Sequence, residues 1–539
     1  MSELNHYTCY MKPYIQPFER HLALKELTAV TSHIPLPHQQ DHIFHVETDL
    51  PLDVLLGRLT YWEQVHITDK ESLLNQTTYQ VRREATAKLA RNGMGLEDLR
   101  SYLPFQQAVP LPKHRALRYG PHGIHEYRGK FFPQLVRSLL NVAGIGDHSL
   151  VLDPMCGSGT TPVETILMGA EAIGLDLNPL SVLISQAKCE SLMVEPATLL
   201  QAYEVLQQKI TEGGNGRQWF NTLPKRDRVY LEQWFAEFVL DSLDIIARAI
   251  QEESSPKCRY LFTVSLSNIL RSVSWQKDDD LRVRKEIPDV FDLDVNQIFL
   301  SELHNTVKSV LALLYENEGL LVGTAIIQEG NASHTPELLK TYRHQVDAVI
   351  TSPPYATALP YLDTDRLSLS YLNLLPRSKQ RQHDYNMIGN REITSSKRER
   401  YWQNYLSHKT DLTDDIITVI DRIDALNKQA NIGFRRQNLP ALLSHYFFDM
   451  RQVLLGFRQM LKPGAPAYVV VGNNHTIAGG KSVREGGERV EIETDHLLMQ
   501  LGEAVGLTVT EMIPMDMLTS RDIFRKNTGS AETIICFKN

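Results

Sequence analysis

Short apolar runs that stop at turn residues alternate with helix-spaced segments in three separated parts of the chain. SLVLDP (149–154) is an apolar run closed by turn residues, the pattern of a buried strand. TPVETILMGA (161–170) has apolar positions at helical spacing, and EAIGLDLNP (171–179) predicts a second strand ending in a turn. Strand, helix, strand in that order predicts a βαβ unit and so a parallel sheet. The same rhythm returns at TAIIQEGNA (324–332) and VDAVITSPPY (346–355). It finishes with the helix LLSHYFFDMRQVLLGFRQML, the turn KPG, the strand APAYVVVGNN, a helix near 494–505, and the strands LTVTEMIPM and AETIICFKN.

Two stretches break the alternation. Residues 191–322 carry helical spacing throughout, and 376–439 are polar and rich in Lys and Arg. Without them, about seven strands with intervening helices remain, a doubly wound α/β fold with helical insertions. Residues 1–110 form an additional N-terminal region, with 52–95 expected to be mainly helical. The repeating part divides into 111–190, 323–375 and 440–539. No repeat of fixed period is present.

Composition narrows the class. With 42% hydrophobic and 22% charged residues the chain has the usage of a folded globular protein, and its length suits several domains. The formal charge of −8, from 56 basic and 64 acidic side chains, excludes a globally basic nucleic-acid coat. Nucleic-acid contact would need local basic patches. The five cysteines are scattered, with no CxxC pair and no metal-ligand spacing, so no metal is expected. That usage, the lack of a signal-like N-terminus and the lack of a long uncharged apolar run predict a cytoplasmic protein without membrane contact.

Two loops carry the chemistry. In DPMCGSGTT (153–161), Gly157 and Gly159 allow a sharp turn and close approach to a ligand. No Lys follows Gly159, which disfavours a P-loop, and Pro162 stands where a dinucleotide fold wants its third Gly. S-adenosylmethionine remains, with Asp153 near its methionine part. Asp176, at the end of the second strand, has the position of an acid that accepts both ribose hydroxyls. In TSPPY (351–355), two prolines impose a rigid extended turn. That turn offers the Ser352 side chain and the Pro353 carbonyl as acceptors and Tyr355 as a stacking face, a set suited to an exocyclic amine on a planar ring. The ordinary alternatives are a tight turn, a helix cap at Asp176 and a Pro-rich strand exit.

DPMCGSGTT followed by TSPPY resembles the amino-methylating DNA methyltransferases, with Ser352 in the position typical of the cytosine-N4 branch. The resemblance spans 111–190, 323–375 and 440–539 and implies a Rossmann-like methyltransferase sheet. It implies a catalytic loop of Ser352, Pro353, Pro354 and Tyr355, and cofactor contacts from Asp153, Pro154, Cys156, Gly157, Gly159, Thr160 and Asp176. HEYRGKFFPQLVRSLL (125–140) resembles the segment that closes over the methionine end, which points to Lys130, Phe131 and Pro133. GNA (330–332) resembles the motif that reads adenine, with Asn331 in place of the usual Asp, and Met155 replaces the usual Phe. The implied partner is duplex DNA, the target base being flipped out of the helix.

Basic stretches that could meet DNA phosphates are 377–400, Arg435 with Arg436, and Arg271, Lys277, Arg282, Arg284 and Lys285 around Trp275, with Lys113, His114, Arg115 and Arg118 as weaker candidates. Carbon-5 cytosine methylation is excluded, because no Pro-Cys dipeptide occurs. An adenine-N6 enzyme, an RNA guanine-N2 enzyme and a non-catalytic DNA-binding subunit remain as alternatives. No nuclease-like cluster is recognisable, so a cognate restriction or defence-system activity would lie in another chain.

Overall fold

The computed structural model describes residues 4–68, 76–77, 81–127, 131–214, 216–277, 284–287, 292–356, 361–390, 393–429, 432–516 and 531–539. Its strands, in chain order, are β1 (Asn5–Met11), β2 (Leu36–Pro37), β3 (Ile43–Thr48), β4 (Trp62–Ile67), β5 (Leu150–Asp153), β6 (Glu171–Asp176), β7 (Ala325–Glu329), β8 (Ala348–Thr351), β9 (Pro466–Gly472), β10 (Asn474–Ala478), β11 (Glu488–Ile492), β12 (Thr508–Asp516) and β13 (Ala531–Lys538).

Seven of them form the central sheet, in the order β12-β13-β9-β8-β5-β6-β7. β9, β8, β5, β6 and β7 pair in parallel, and β13 joins β9 antiparallel, as does β12 with β13. The chain runs outward from β5 to β6 and β7, then returns to lay β8 on the other side of β5. The strand order therefore reverses between β5 and β8, and α/β sheets bind ligands at the carboxyl ends beside such a reversal.

Period-two alternation sorts the apolar residues onto two faces. Leu152, Val349, Val469, Val471 and Ile535 pack with the helix Leu439–Met460 on one side. Val151, Ile350, Val470 and Ile534 pack with the helix Pro133–Val142 and the N-terminal region on the other.

The expected helical stretch at 191–322 contains the helices Pro196–Glu212, Glu237–Gln251, Pro256–Leu270 and Val295–Glu316, which share a core with the helix Pro179–Ser191. The N-terminal region departs from expectation. Between 52 and 95 the described residues form two short helices and β4, which belongs to a four-stranded antiparallel sheet of order β2-β3-β1-β4. Trp62 and Val65 of β4 are buried and pair across to β1, so sheet packing overrides helical spacing there. The β10–β11 hairpin also lacked a signal in our reading of the sequence.

Candidate active site

β5 delivers Asp153 to the reversal point, and the chain turns at once through two left-handed glycines, Gly157 (φ 50°) and Gly159 (φ 80°). A Cβ on Gly159 would stand 2.3 Å from Ser185 Oγ and 2.9 Å from Ser185 Cα, so only glycine lets the loop lie on the helix Pro179–Ser191. β6 ends beside it, where Asp176 accepts from Gly157 N at 2.9 Å and from Asn178 N at 2.8 Å. These amides hold the loop to the strand end and leave carboxylate lone pairs toward the cleft.

The second loop leaves β8, next to β5. Thr351 Oγ1 donates to Asp153 Oδ1 at 2.7 Å and Met155 N donates to the same oxygen at 3.1 Å, tying the two loops together. Ser352 Oγ donates to Val470 O of β9 at 3.0 Å. With its hydrogen committed, that hydroxyl can act only as an acceptor toward the cleft. The Tyr355 ring lies against Gly472, where a Cβ would come within 3.0 Å of Cζ, and its hydroxyl donates to Glu532 Oε1. Gly472 and Glu532 are cross-strand partners on β9 and β13, so one strand supplies a flat floor and the other an anchor.

The cleft has two lobes. The smaller is lined by Tyr127, Phe131, Asp153, Met155, Cys156, Thr160 and Ser352, among others. The larger encloses about 690 Å³, counting space open to solvent. Pro154, Asp176, Asn331, Ser352 and Pro354 line it, as do Asn386, Met387 and Ile388. Among the remaining expected residues, Gly159 shapes the turn without being a lining residue, Tyr355 lines neither lobe and packs partly buried against the core, and Pro133 is a buried first residue of its helix. Pro353 is buried beside the cleft, and Lys130 lies outside the described residues.

Burial dominates the electrostatics. It pushes the Asp153 carboxyl up to about 7 against the Thr351 and Thr161 hydrogen bonds, and Asp176 up to about 6 against its two amide bonds. The Cys156 thiol is pushed well above its ordinary value, again first by burial, which leaves it a poor nucleophile.

Sequence reasoning missed the contribution of the polar insertion. Asn331 Oδ1 accepts from Ser333 N (3.0 Å) and Ser333 Oγ (2.8 Å), while its Nδ2 donates to Asn386 O at 3.1 Å. His383 Nε2 meets Leu177 O at 2.5 Å, fastening the same segment beside Asp176. No local pattern marks 386–388 as cleft residues, since their role depends on a docking 55 positions from Asn331. Glu532 likewise has no motif of its own. Among the described residues no group of His, Cys, Asp and Glu could hold a metal ion, and no helix is long and apolar enough to cross a membrane.

Residues 125–212, which include the glycine loop and Asp176, match the UPF0020 family model, an RMKL-like methyltransferase domain. The chain is similar to the Type II methyltransferase M.MvaI of Kocuria varians, with 26% identity over 374 residues, covering 65% of this chain and 76% of that one. It is 24% identical over 430 residues to the Type II methyltransferase M.AvaI of Nostoc sp., covering 77% and 83%. A stretch of 50 residues, 9% of this chain and 14% of the other, is 40% identical to a tRNA (guanine(10)-N2)-dimethyltransferase of Methanocaldococcus jannaschii. On these matches the chain is a methyltransferase.

Proposed function

We propose that the protein is a site-specific DNA methyltransferase that transfers a methyl group from S-adenosylmethionine to the exocyclic N4 amine of cytosine in duplex DNA, within a restriction-modification or related defence system. The observation that carries this reading is the committed Ser352 hydroxyl, an obligate acceptor at the wall common to both lobes of the cleft. The similarity to two Type II methyltransferases over most of the chain supports the substrate class.

The residues present suit the cofactor. Asp176 keeps lone pairs free for ribose hydroxyls, and Asp153 offers a buried carboxyl to the cationic methionine end. Phe131 and Thr160 line the lobe beside Asp153, and Pro154 and Asn331 the lobe beside Asp176. When bound, S-adenosylmethionine supplies an electrophilic sulfonium methyl group.

The chain's own residues then do three things. Tyr355, held flat by Gly472 and Glu532, presents a face on which an unstacked base can lie, offsetting part of the few kcal/mol that flipping costs. Ser352 Oγ and the Pro353 carbonyl accept the two N–H groups of the amine, which directs the nitrogen lone pair outward. The same acceptors stabilise the positive charge that grows on that nitrogen as it is alkylated, a charge discharged when one of the two N–H groups gives its proton to solvent. No protein nucleophile takes part.

The deciding experiment is tritiated methyl transfer to duplex DNA followed by nucleoside mass spectrometry, with Ser352→Ala and Tyr355→Ala as controls. N4-methylcytosine that disappears in both variants supports the reading. N6-methyladenine overturns the base assignment alone. The tRNA-enzyme match motivates a parallel tRNA substrate: label there and none on DNA refutes the DNA assignment.

A further inference from the structure

Behind the cleft wall at Asn386–Ile388, the polar insertion carries positive charge without acidic partners. The helices Arg377–Asp384 and Ser395–His408 gather Arg381, Lys397 and Arg400 about two tyrosines. Arg381 Nε donates to the Tyr385 hydroxyl at 2.7 Å, and Lys397 Nζ stands 4.2 Å from the centre of the Tyr385 ring. Arg400 lies 5.6 Å from the centre of Tyr401, and Arg398 lies 5.8 Å from that of the exposed Phe434. Among the described residues no carboxylate comes within ion-pair distance of these four cations. Glu399 on the same helix accepts from Gln403, and burial pushes the Asp449 carboxyl, 3.5 Å from His445, up to about 7.

The neighbouring histidine registers the field. The His445 ring is stacked 4.0 Å from Tyr401 and held down to about 4, first by burial and then by Arg400 and Lys397. Like charges crowded in this way repel one another in the free protein, and a polyanion relieves that repulsion. Ring contacts also fix the cations in place, so less side-chain freedom is lost when a phosphate arrives.

Several residues of the other basic stretches have partners of their own, and Arg282 lies outside the described residues. Arg377 donates to Gln380 Oε1 at 2.9 Å, Arg436 donates to the carbonyls of Gly480 and Lys481, and Arg115 forks onto Glu19. Arg271 donates to Lys277 O, and Lys277 pairs with Glu286.

We infer that the Arg381–Lys397–Arg398–Arg400 patch is the surface along which the phosphate backbone of duplex DNA lies, next to the base that enters the cleft. The choice of DNA as the polyanion rests on the function proposed above. Tyr385 immediately precedes the lining residue Asn386, so a strand crossing the patch reaches the rim of the cleft directly.

The test is fluorescence anisotropy of a labelled 30-base-pair duplex against KCl concentration, with S-adenosylmethionine affinity and the melting temperature measured alongside. Lys397→Gln with Arg400→Gln is expected to lower the slope of log affinity against log salt by about 2, since each phosphate contact contributes about 0.9. Cofactor affinity should not change, and the melting temperature should not fall, since two crowded like charges are removed. Lys209→Gln, which removes a cation paired with Glu252, should leave the slope unchanged. An unaltered slope in the double variant overturns the inference whether or not the protein methylates DNA. Wild type that binds single-stranded RNA or tRNA but not the duplex overturns the choice of DNA. A lowered slope in a protein that transfers no methyl group to DNA supports the surface while refuting the catalytic reading.

Discussion

Asp153→Asn removes the one charge that the fold itself opposes most strongly at the cleft. In the folded protein burial raises this carboxyl from 3.8 to about 7. Unfolding anywhere between those values therefore releases a proton. Wild-type stability must decline with rising pH across that window and level off above about 7, at roughly 1.4 kcal/mol per pH unit. The full span corresponds to an upper limit of roughly 4 kcal/mol. Asparagine keeps an oxygen for Thr351 and Met155 N and carries no charge, so its stability lacks this slope. The advantage of Asp153→Asn over wild type is expected to grow by roughly 2–3 kcal/mol from pH 5 to pH 8. Urea denaturation of both proteins at the two pH values, at matched ionic strength, measures it. An offset that is the same at both pH values would refute the reasoning. The same substitution should weaken S-adenosylmethionine binding, because the ionised carboxyl faces the cationic end of that ligand. Wild-type affinity should then fall as pH drops below about 7, and the variant's should not. Stability given up at a binding site is the expected pattern where function needs a buried charge.

Gly159→Ala places a methyl group against the backbone of Ser185 at a left-handed φ, and should cost about 1–3 kcal/mol or more. Thermal melts with and without cofactor will show it, and an unchanged melting temperature would contradict the packing argument. Asn331→Asp restores the usual acid of the resembled family, yet it deletes the donor to Asn386 O. It is expected to raise the cofactor dissociation constant by about tenfold, the worth of one hydrogen bond, as read by calorimetry. Glu532→Ala frees the Tyr355 ring, so fluorescence of a duplex carrying 2-aminopurine at the target should rise less on binding. Glu532→Gln keeps an acceptor and should retain most of the signal, and equal loss in both variants would argue against an anchoring role.

The local conformation of the two loops was legible from the chain alone. Gly157 and Gly159 are demanded by positive φ, and Ser352-Pro-Pro-Tyr355 by a turn that two prolines stiffen. Strand and helix periodicity likewise predicted seven strands, because burial on both faces of a sheet writes continuous apolar runs. Three things were decided only by the tertiary structure. The crossover that lays β8 beside β5 brings Thr351 onto Asp153 across 198 positions. The docking of the polar insertion ties Asn331 to the Asn386 carbonyl while leaving it in the cleft lining, and makes Asn386–Ile388 a wall of the cleft. The N-terminal sheet prevailed over the helical spacing of its own sequence, because Trp62 and Val65 are fully buried against β1 and its neighbours. Periodicity records which side of an element is buried, and it carries no information about the partner that buries it. That partner is chosen by long-range packing, which is where this protein assembled its cleft.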